Sequence, residues 1–286
     1  MKIVNDEMCK GCITIKTTSE LSLEKLHNLK EEGISKIIVT NNKEKDTFSI
    51  DIFEKIKIKI AEYIQNIPQV MEDDPDKEKK IFTYIYSKIA KNIFYEEGLC
   101  IGYYADLIDR AYASIECILY GKALCSGYSK ILKNILSEVG IEASYISGGT
   151  GNNRHAWNQV KLDGKWYNCD ITNDANFILE GLKLPHFLKS NEECTRYIKY
   201  PCNDLSSIQE SLESISDEKQ EELIEEQRQR ILKEEELSQE NKTENHSVGK
   251  GFISKIKEFL KKQKIEPEEL HDLSTEDVNE ESRSRK

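Results

Sequence analysis

The chain has 286 residues, 38% hydrophobic and 33% charged, with a net charge of −11. That length is enough for one or two domains with a proper core, and the charged share exceeds the usual globular level. An acidic total argues against general nucleic-acid binding, which needs a basic face to displace phosphate counterions. The acid is concentrated at one end: 22 acidic and 14 basic residues lie between Ser206 and Lys286, net −8, leaving −3 for the first 205. The start, "MKIVNDEMCKGC", has no apolar run resembling a signal peptide, and no stretch approaches the length of a transmembrane helix. Eight cysteines (9, 12, 100, 117, 125, 169, 194 and 202) without an export signal read as free thiols, so the expected location is cytoplasmic.

In chain order, residues 1–50 mix β-type runs ("CITIK", "ISKIIVTNN", "DTFSI") with one helical segment, "SLEKLHNLKEEG", a small α/β segment. From Ile52 the pattern turns helical, with Ile52, Ile56, Ile60, Tyr63 and Ile67 on one face until Pro68. "DPDKEKKIFTYIYSKIAKN" is a second helix, with Asp74 as cap and Pro75 as first residue. A third helical run, "DLIDRAYASIECILYG", leads into "GKALCSGYSKILKNILSEVG", where Tyr128, Ile131, Leu132, Ile135 and Val139 share a face and Gly140 supplies the stop. Cys125 opens this helix. Taken alone it reads first as a small core residue, although the positive end of the helix dipole favours thiolate there.

After Gly140 the texture becomes β. "IEASYISGG" reads as a strand, "TGNNR" as a loop beside His155 able to gate access, and "HAWNQVKLDGKWYNCDIT" as a hairpin turning at Asp163–Gly164. Helices first and strands later predict an α+β fold, with an antiparallel sheet packed on an N-terminal helical part. A two-residue turn sets 162 against 165, 160 against 167, 158 against 169 and 156 against 171. One face then carries Ala156, Val160, Leu162, Tyr167, Cys169 and Ile171, and the other His155, Trp157, Gln159, Asn168, Asp170 and Thr172. In this register Trp157 lies opposite Asp170, and His155 is its diagonal neighbour. Each of the three polar groups has a plain structural reading by itself: a core thiol, a hydrogen-bonded histidine, a strand-end cap. Together, a thiol at a helix start, an imidazole on a strand and a carboxylate beside it are what nucleophilic thiol chemistry requires.

At these residues the sequence resembles the transglutaminase-like superfamily, with its papain-type Cys-His-Asp domain, over about residues 74–175. "GKALCSGYS" resembles the nucleophile segment, "HAWNQV" the histidine strand and "GKWYNCDIT" the carboxylate strand. The resemblance implies a papain-like core over 51–204, with Cys125 as nucleophile, His155 as general base and acid, and Asp170 as the orienting carboxylate. It also implies a cysteine acyltransferase or hydrolase that forms a thioester with protein or peptide amides, ending in transamidation, deamidation or peptide hydrolysis. Where the family often has a tryptophan after "DxT", this chain has "DITND". The backbone N–H of Cys125 is the expected oxyanion donor. Tyr112 is a second candidate beside a packing role, and Trp157 is either a wall of the acyl channel or a cross-strand packer.

No cofactor is called for. "CKGC" at Cys9–Cys12 is half of a zinc-site spacing without a second pair, so no metal is expected, and "SGGTGNNR" lacks the Lys-Ser/Thr of a phosphate loop. Residues 205–286 form a charged helical or disordered tail, with "FISKIKEFLKKQKI" as an amphipathic stretch for local packing or for docking a partner. The alternative to an enzyme is a binding or scaffold protein that keeps the fold.

Overall fold

A computed structural model describes residues 11–41, 44–70, 73–96, 110–151, 153–202 and 204–244. The "FISKIKEFLKKQKI" stretch, the residues after it and Cys9 lie outside these. The chain divides into two compact units, 1–235 and 236–286.

The first unit opens with β1 (Cys12–Ile15), α1 (Leu23–Glu31), β2 (Lys36–Asn41) and β3 (Glu44–Ser49). β1 pairs parallel with β2, and β2 antiparallel with β3. Ser22 caps α1 by accepting from Lys25 N–H, and Ser49 caps α2 (Ile50–Ile64) by accepting from Ile52 N–H. α3 (Lys77–Asn92) starts two residues later than the Asp-Pro pair suggests, because Asp74 spends its carboxylate on the N–H of Asp76 and on Lys80. Its Phe82–Ala90 stretch is almost wholly buried except Lys88, as befits a helix with neighbours on several sides.

The third predicted helix breaks. Residues 106–109 lie outside the description. Ser114 turns its hydroxyl to the carbonyl of Ala111 and accepts from Glu116 N–H, so a 3-10 turn (Ile115–Leu119) replaces the α-helix. Next come β4 (Phe94–Tyr95) paired parallel with β5 (Lys122–Ala123), and then α4 (Cys125–Glu138).

β6 (Ala143–Thr150), β7 (Asn153–Leu162) and β8 (Lys165–Cys169) form an antiparallel sheet in that order. "TGNNR" is not all loop: Thr150 pairs with Asn153, and Gly149 and Gly151 stand at positive φ. The second hairpin turns at Asp163 and Gly164, both at positive φ, and its register sets 162 against 165, 160 against 167 and 158 against 169. That ladder stops at Cys169. Asp170 becomes the N-cap of α5 (Ile171–Glu180), so the expected pairing of 156 with 171 does not form.

α4 covers one sheet face, and buried Asn158 donates to the carbonyls of Ser129 on α4 (2.9 Å) and Ser144 on β6 (3.1 Å). The opposite face, which carries Trp157, Gln159 and Asn168, is covered as well, by residues 184–211. Gln159 exchanges two hydrogen bonds with the backbone of Gln209, Asn168 bridges to Lys189, and Tyr197 Oη donates to Asn168. A short helix, α6 (Arg196–Lys199), belongs to this cover.

One hydrophobic cluster runs from Ile13 to Ile231, so residues 11–49 share a core with the helices behind them. α7 (Asp217–Glu244) is helical as its composition suggests, yet Leu223, Gln227, Ile224 and Ile231 are buried. The stretch 205–235 therefore packs within the first unit instead of trailing as a solvated tail. Among the described residues no helix is long and apolar enough to cross a membrane.

Candidate active site

The site begins with the delivery of Cys125. Leu124 N–H donates to the carbonyl of Tyr112 (2.9 Å), which brings the chain off β5 and into α4 with Cys125 as first residue. Leucine at the N-cap has no acceptor, so no side chain caps the first turn and its N–H groups remain for a ligand. Gly127 is required by close approach: a Cβ there would lie 2.1 Å from the Tyr112 carbonyl and 2.8 Å from Cys117 Sγ. The far end of α4 is held by residues of the first fifty or so. Thr18 N–H donates to Asn134 Oδ1 (3.0 Å), and Lys57 Nζ reaches both Glu138 (2.6 Å) and the Thr18 carbonyl (3.2 Å).

His155 comes from β7, opposite Gly148 of β6. Its ring lies between the parallel indole of Trp157 (centroids 6.3 Å apart) and the ring of Tyr200 (4.8 Å). Nε2 stands 2.8 Å from Asp170 Oδ2. The same oxygen accepts from Asn173 Nδ2 (2.7 Å) and faces Arg196 Nη1 at 3.5 Å, while Oδ1 accepts from Asn173 N–H (3.4 Å). Asp170 is 1% exposed and Arg196 7%. Such burial of opposite charges is tolerable only when they are paired.

Electrostatics set the state of the imidazole. Burial alone would lower the His155 pKa. Hydrogen bonds to Asp170 and to the Cys125 thiol, with the charges of both, outweigh burial and raise it to about 9. Since Nε2 is given to Asp170, Nδ1 is the nitrogen left for Cys125. Behind this pair, burial holds the Asp174 carboxyl well above the usual range. It accepts from Tyr86 Oη (2.9 Å) and His186 N–H (3.1 Å), fastening α5 to α3 and to the chain that follows. Burial and the neighbouring Arg196 push His186 down to about 4, so its neutral Nε2 accepts from Arg196 Nη2 (2.9 Å).

The structure thus brings Cys125, His155 and Asp170 to one place. The other two sequence candidates stand differently. Trp157 is completely buried, packed between His155 and an edge-on Tyr197 (5.3 Å), which is the position of a packer and not of an open channel wall. Tyr112 contributes its carbonyl to the start of α4. Its ring meets Tyr120 edge-on (6.1 Å) and lines a cavity of about 850 Å³ with Asp46, Arg110 and Glu116.

Residues 62–171 match the family model described as the Transglutaminase-like superfamily. This stretch of the chain is transglutaminase-like. Two solved structures are also similar to the chain: a putative cysteine protease from Cytophaga hutchinsonii and a TGase. The first is 17% identical, over 42% of this chain and 37% of that one, with a TM-score of 0.30. The second is 16% identical, over 53% and 48%, with a TM-score of 0.28. The chain spans less than half the length of either. No curated protein matches it.

The transglutaminase-like stretch holds Cys125, His155 and Asp170, but it ends at Ile171, and the side chains that surround the pair come from beyond it. Asn173, His186, Arg196 and Tyr200 went unread in the sequence. Asn173 had a visible signal, an Asp with an amide three residues later at a strand end, which is a helix-cap pattern. Arg196 and Tyr200 are one helical turn apart in "TRYIKY", but nothing local ties that turn to residue 170.

Proposed function

We propose that this chain is a transglutaminase-like cysteine enzyme with a papain-like core that forms a thioester with protein or peptide amides. One observation carries the reading: an imidazole whose Nε2 stands 2.8 Å from a buried carboxylate and whose ring also hydrogen-bonds the Cys125 thiol at a helix start. A histidine that stays charged to about pH 9 favours an ion pair with the Cys125 sulfur at neutral pH.

The sulfur attacks the amide carbonyl carbon and forms the C–S bond, and the oxyanion receives N–H groups of the first turn of α4. Imidazolium then gives its proton to the departing nitrogen as the C–N bond breaks, leaving a thioester. Water or a primary amine attacks that thioester, neutral His155 takes the incoming proton, and the C–S bond breaks to return the sulfur. Asp170 holds the ring through both halves and stabilises its charged form. Water as the second nucleophile gives deamidation or hydrolysis; a lysine amine gives cross-linking.

Alkylation tests this on the whole protein. At pH 7 and low iodoacetamide, peptide mapping should find Cys125 labelled about tenfold or more faster than Cys202, which is also partly exposed. His155→Ala should bring the two rates together. Equal rates in the native protein, unmoved by the substitution, would replace the enzyme with the scaffold reading. Ammonia release from a glutamine peptide, with and without an added amine, then sorts the outcomes.

A further inference from the structure

The segment beyond the transglutaminase-like stretch buries an arginine against the carboxylate of the pair. We propose that Arg196 is a positioning residue of this site, sharing the charge of Asp170 so that the carboxylate holds the imidazole without locking its proton in place. The inference rests on reading His155 and Asp170 as a catalytic pair, and it adds a group from outside the matched residues.

The geometry is specific. Arg196 Nη1 lies 3.5 Å from Asp170 Oδ2, an ion-pair distance longer than a hydrogen bond, because His155 and Asn173 already occupy that oxygen at 2.8 and 2.7 Å. The guanidinium is aimed from the other side: Nη2 donates to His186 (2.9 Å), and the planar head lies 5.7 Å from the centre of the Tyr200 ring. Tyr200 in turn lies against His155. One turn of chain therefore contacts both members of the pair, the carboxylate through residue 196 and the ring through residue 200. Backbone contacts fix that turn to the strand opposite His155. Gly149 N–H donates to the Pro201 carbonyl (3.0 Å), and a Cβ on Gly148 would lie 2.3 Å from the Tyr200 carbonyl.

A buried cation whose nearby carboxylate already serves an imidazolium has a predictable effect. Both cations draw on one negative charge, so each weakens the other's hold on it. The titratable and charged groups around the pair include Tyr86 from α3, Cys125 from α4, Cys169 from β8, Asp174 from α5, and His186, Cys194, Arg196, Lys199 and Tyr200 from the following chain. Of these, burial raises the Asp174 carboxyl well above the usual range, and His186 is pushed down to about 4. Arg196 is the cation that faces the Asp170 carboxylate directly.

The direction separates this role from simple packing. Removing the charge while Asp170 stays in place should strengthen the carboxylate's grip and move the His155 midpoint up from about 9, by on the order of one pH unit. Were Arg196 only filler, its loss would loosen Asp170 and admit water, and the midpoint would fall toward 6.5. The experiment follows the His155 ring by NMR from pH 5 to 11 in the full chain, comparing native protein with R196M and R196K. R196Q keeps a donor for His186 and serves as a second charge-free variant if R196M does not fold. An upward shift in R196M or R196Q, with R196K close to native, supports the inference; no shift, or a downward one, overturns it. His155→Ala in the alkylation assay judges the catalytic reading separately. A triad that passes there with an unmoved R196M midpoint discards Arg196 alone.

Discussion

At the scale of single residues, Asp170 performs two tasks with one carboxylate. Oδ1 accepts the N–H of Asn173 and so starts α5, while Oδ2 receives the imidazole. Asparagine at 170 would keep the first task and lose the second, since it caps helices as well as aspartate does. Asp170→Asn should therefore keep the start of α5, lower the His155 midpoint from about 9 toward 6.5, and slow alkylation of Cys125 at pH 7. Linkage gives the accompanying stability effect. The folded-state pKa of His155 lies above its unfolded value, so the pair's contribution is fully present below about 6.5 and is lost as pH rises through 9. Unfolding free energies of native protein and D170N should differ most near pH 6, and the gap should shrink by up to about 3 kcal/mol as pH rises past 9, leaving a pH-independent cost for the buried Arg196 that loses its carboxylate. A gap that widened with pH would contradict this assignment of charge.

At the scale of elements, two close backbone approaches hold the site. Gly127 lets the Tyr112 carbonyl sit against the start of α4, and Gly148 lets the Tyr200 carbonyl sit against β6. A methyl at either position must displace main chain, which costs about 1–3 kcal/mol. The consequences should differ. G127A should disturb Cys125 directly, lowering both melting temperature and alkylation rate. G148A should loosen the cover over His155, read as faster amide exchange through residues 196–202.

The same scale shows what was legible in the sequence. The Asp163–Gly164 turn set the register of β7 and β8, because positive φ at both positions selects one turn type and a turn fixes every pairing behind it. The start of α4 was equally plain from its apolar spacing. Less visible was the end of β8, where the capping role of Asp170 overrode the alternation. His155 and Asp170 still meet, through a helix cap instead of a diagonal strand pair. The polar residues Gln159 and Asn168 are buried because their amides are matched by the backbone of residues 189 and 209, a pairing across 21 to 50 residues that no local pattern encodes.

For the whole molecule, α7 shows how little apolar content a packed helix needs. Among its many charges, Leu223, Ile224 and Ile231 are enough to seat it, and Lys88 pairs with Glu234 and Lys219 with Asp76 at its margin. Ending the chain at Asp204 would bare the surface these three cover, a loss on the order of 5 kcal/mol at the usual value per apolar side chain. Thermal denaturation of that shortened protein should show a large drop in midpoint; an unchanged midpoint would mean the helix only rests on its neighbours.

The bracing of α4 by Thr18 and Lys57 has a practical corollary. A fragment trimmed to residues 62–171 would keep thiol, imidazole and carboxylate but shed the struts at the far end of the helix, along with the aromatic and guanidinium lid at the near end. Such a piece is expected to precipitate or stay molten when produced alone, so the smallest unit in which this chemistry can be assembled is about twice as long as the stretch by which its kin are recognised.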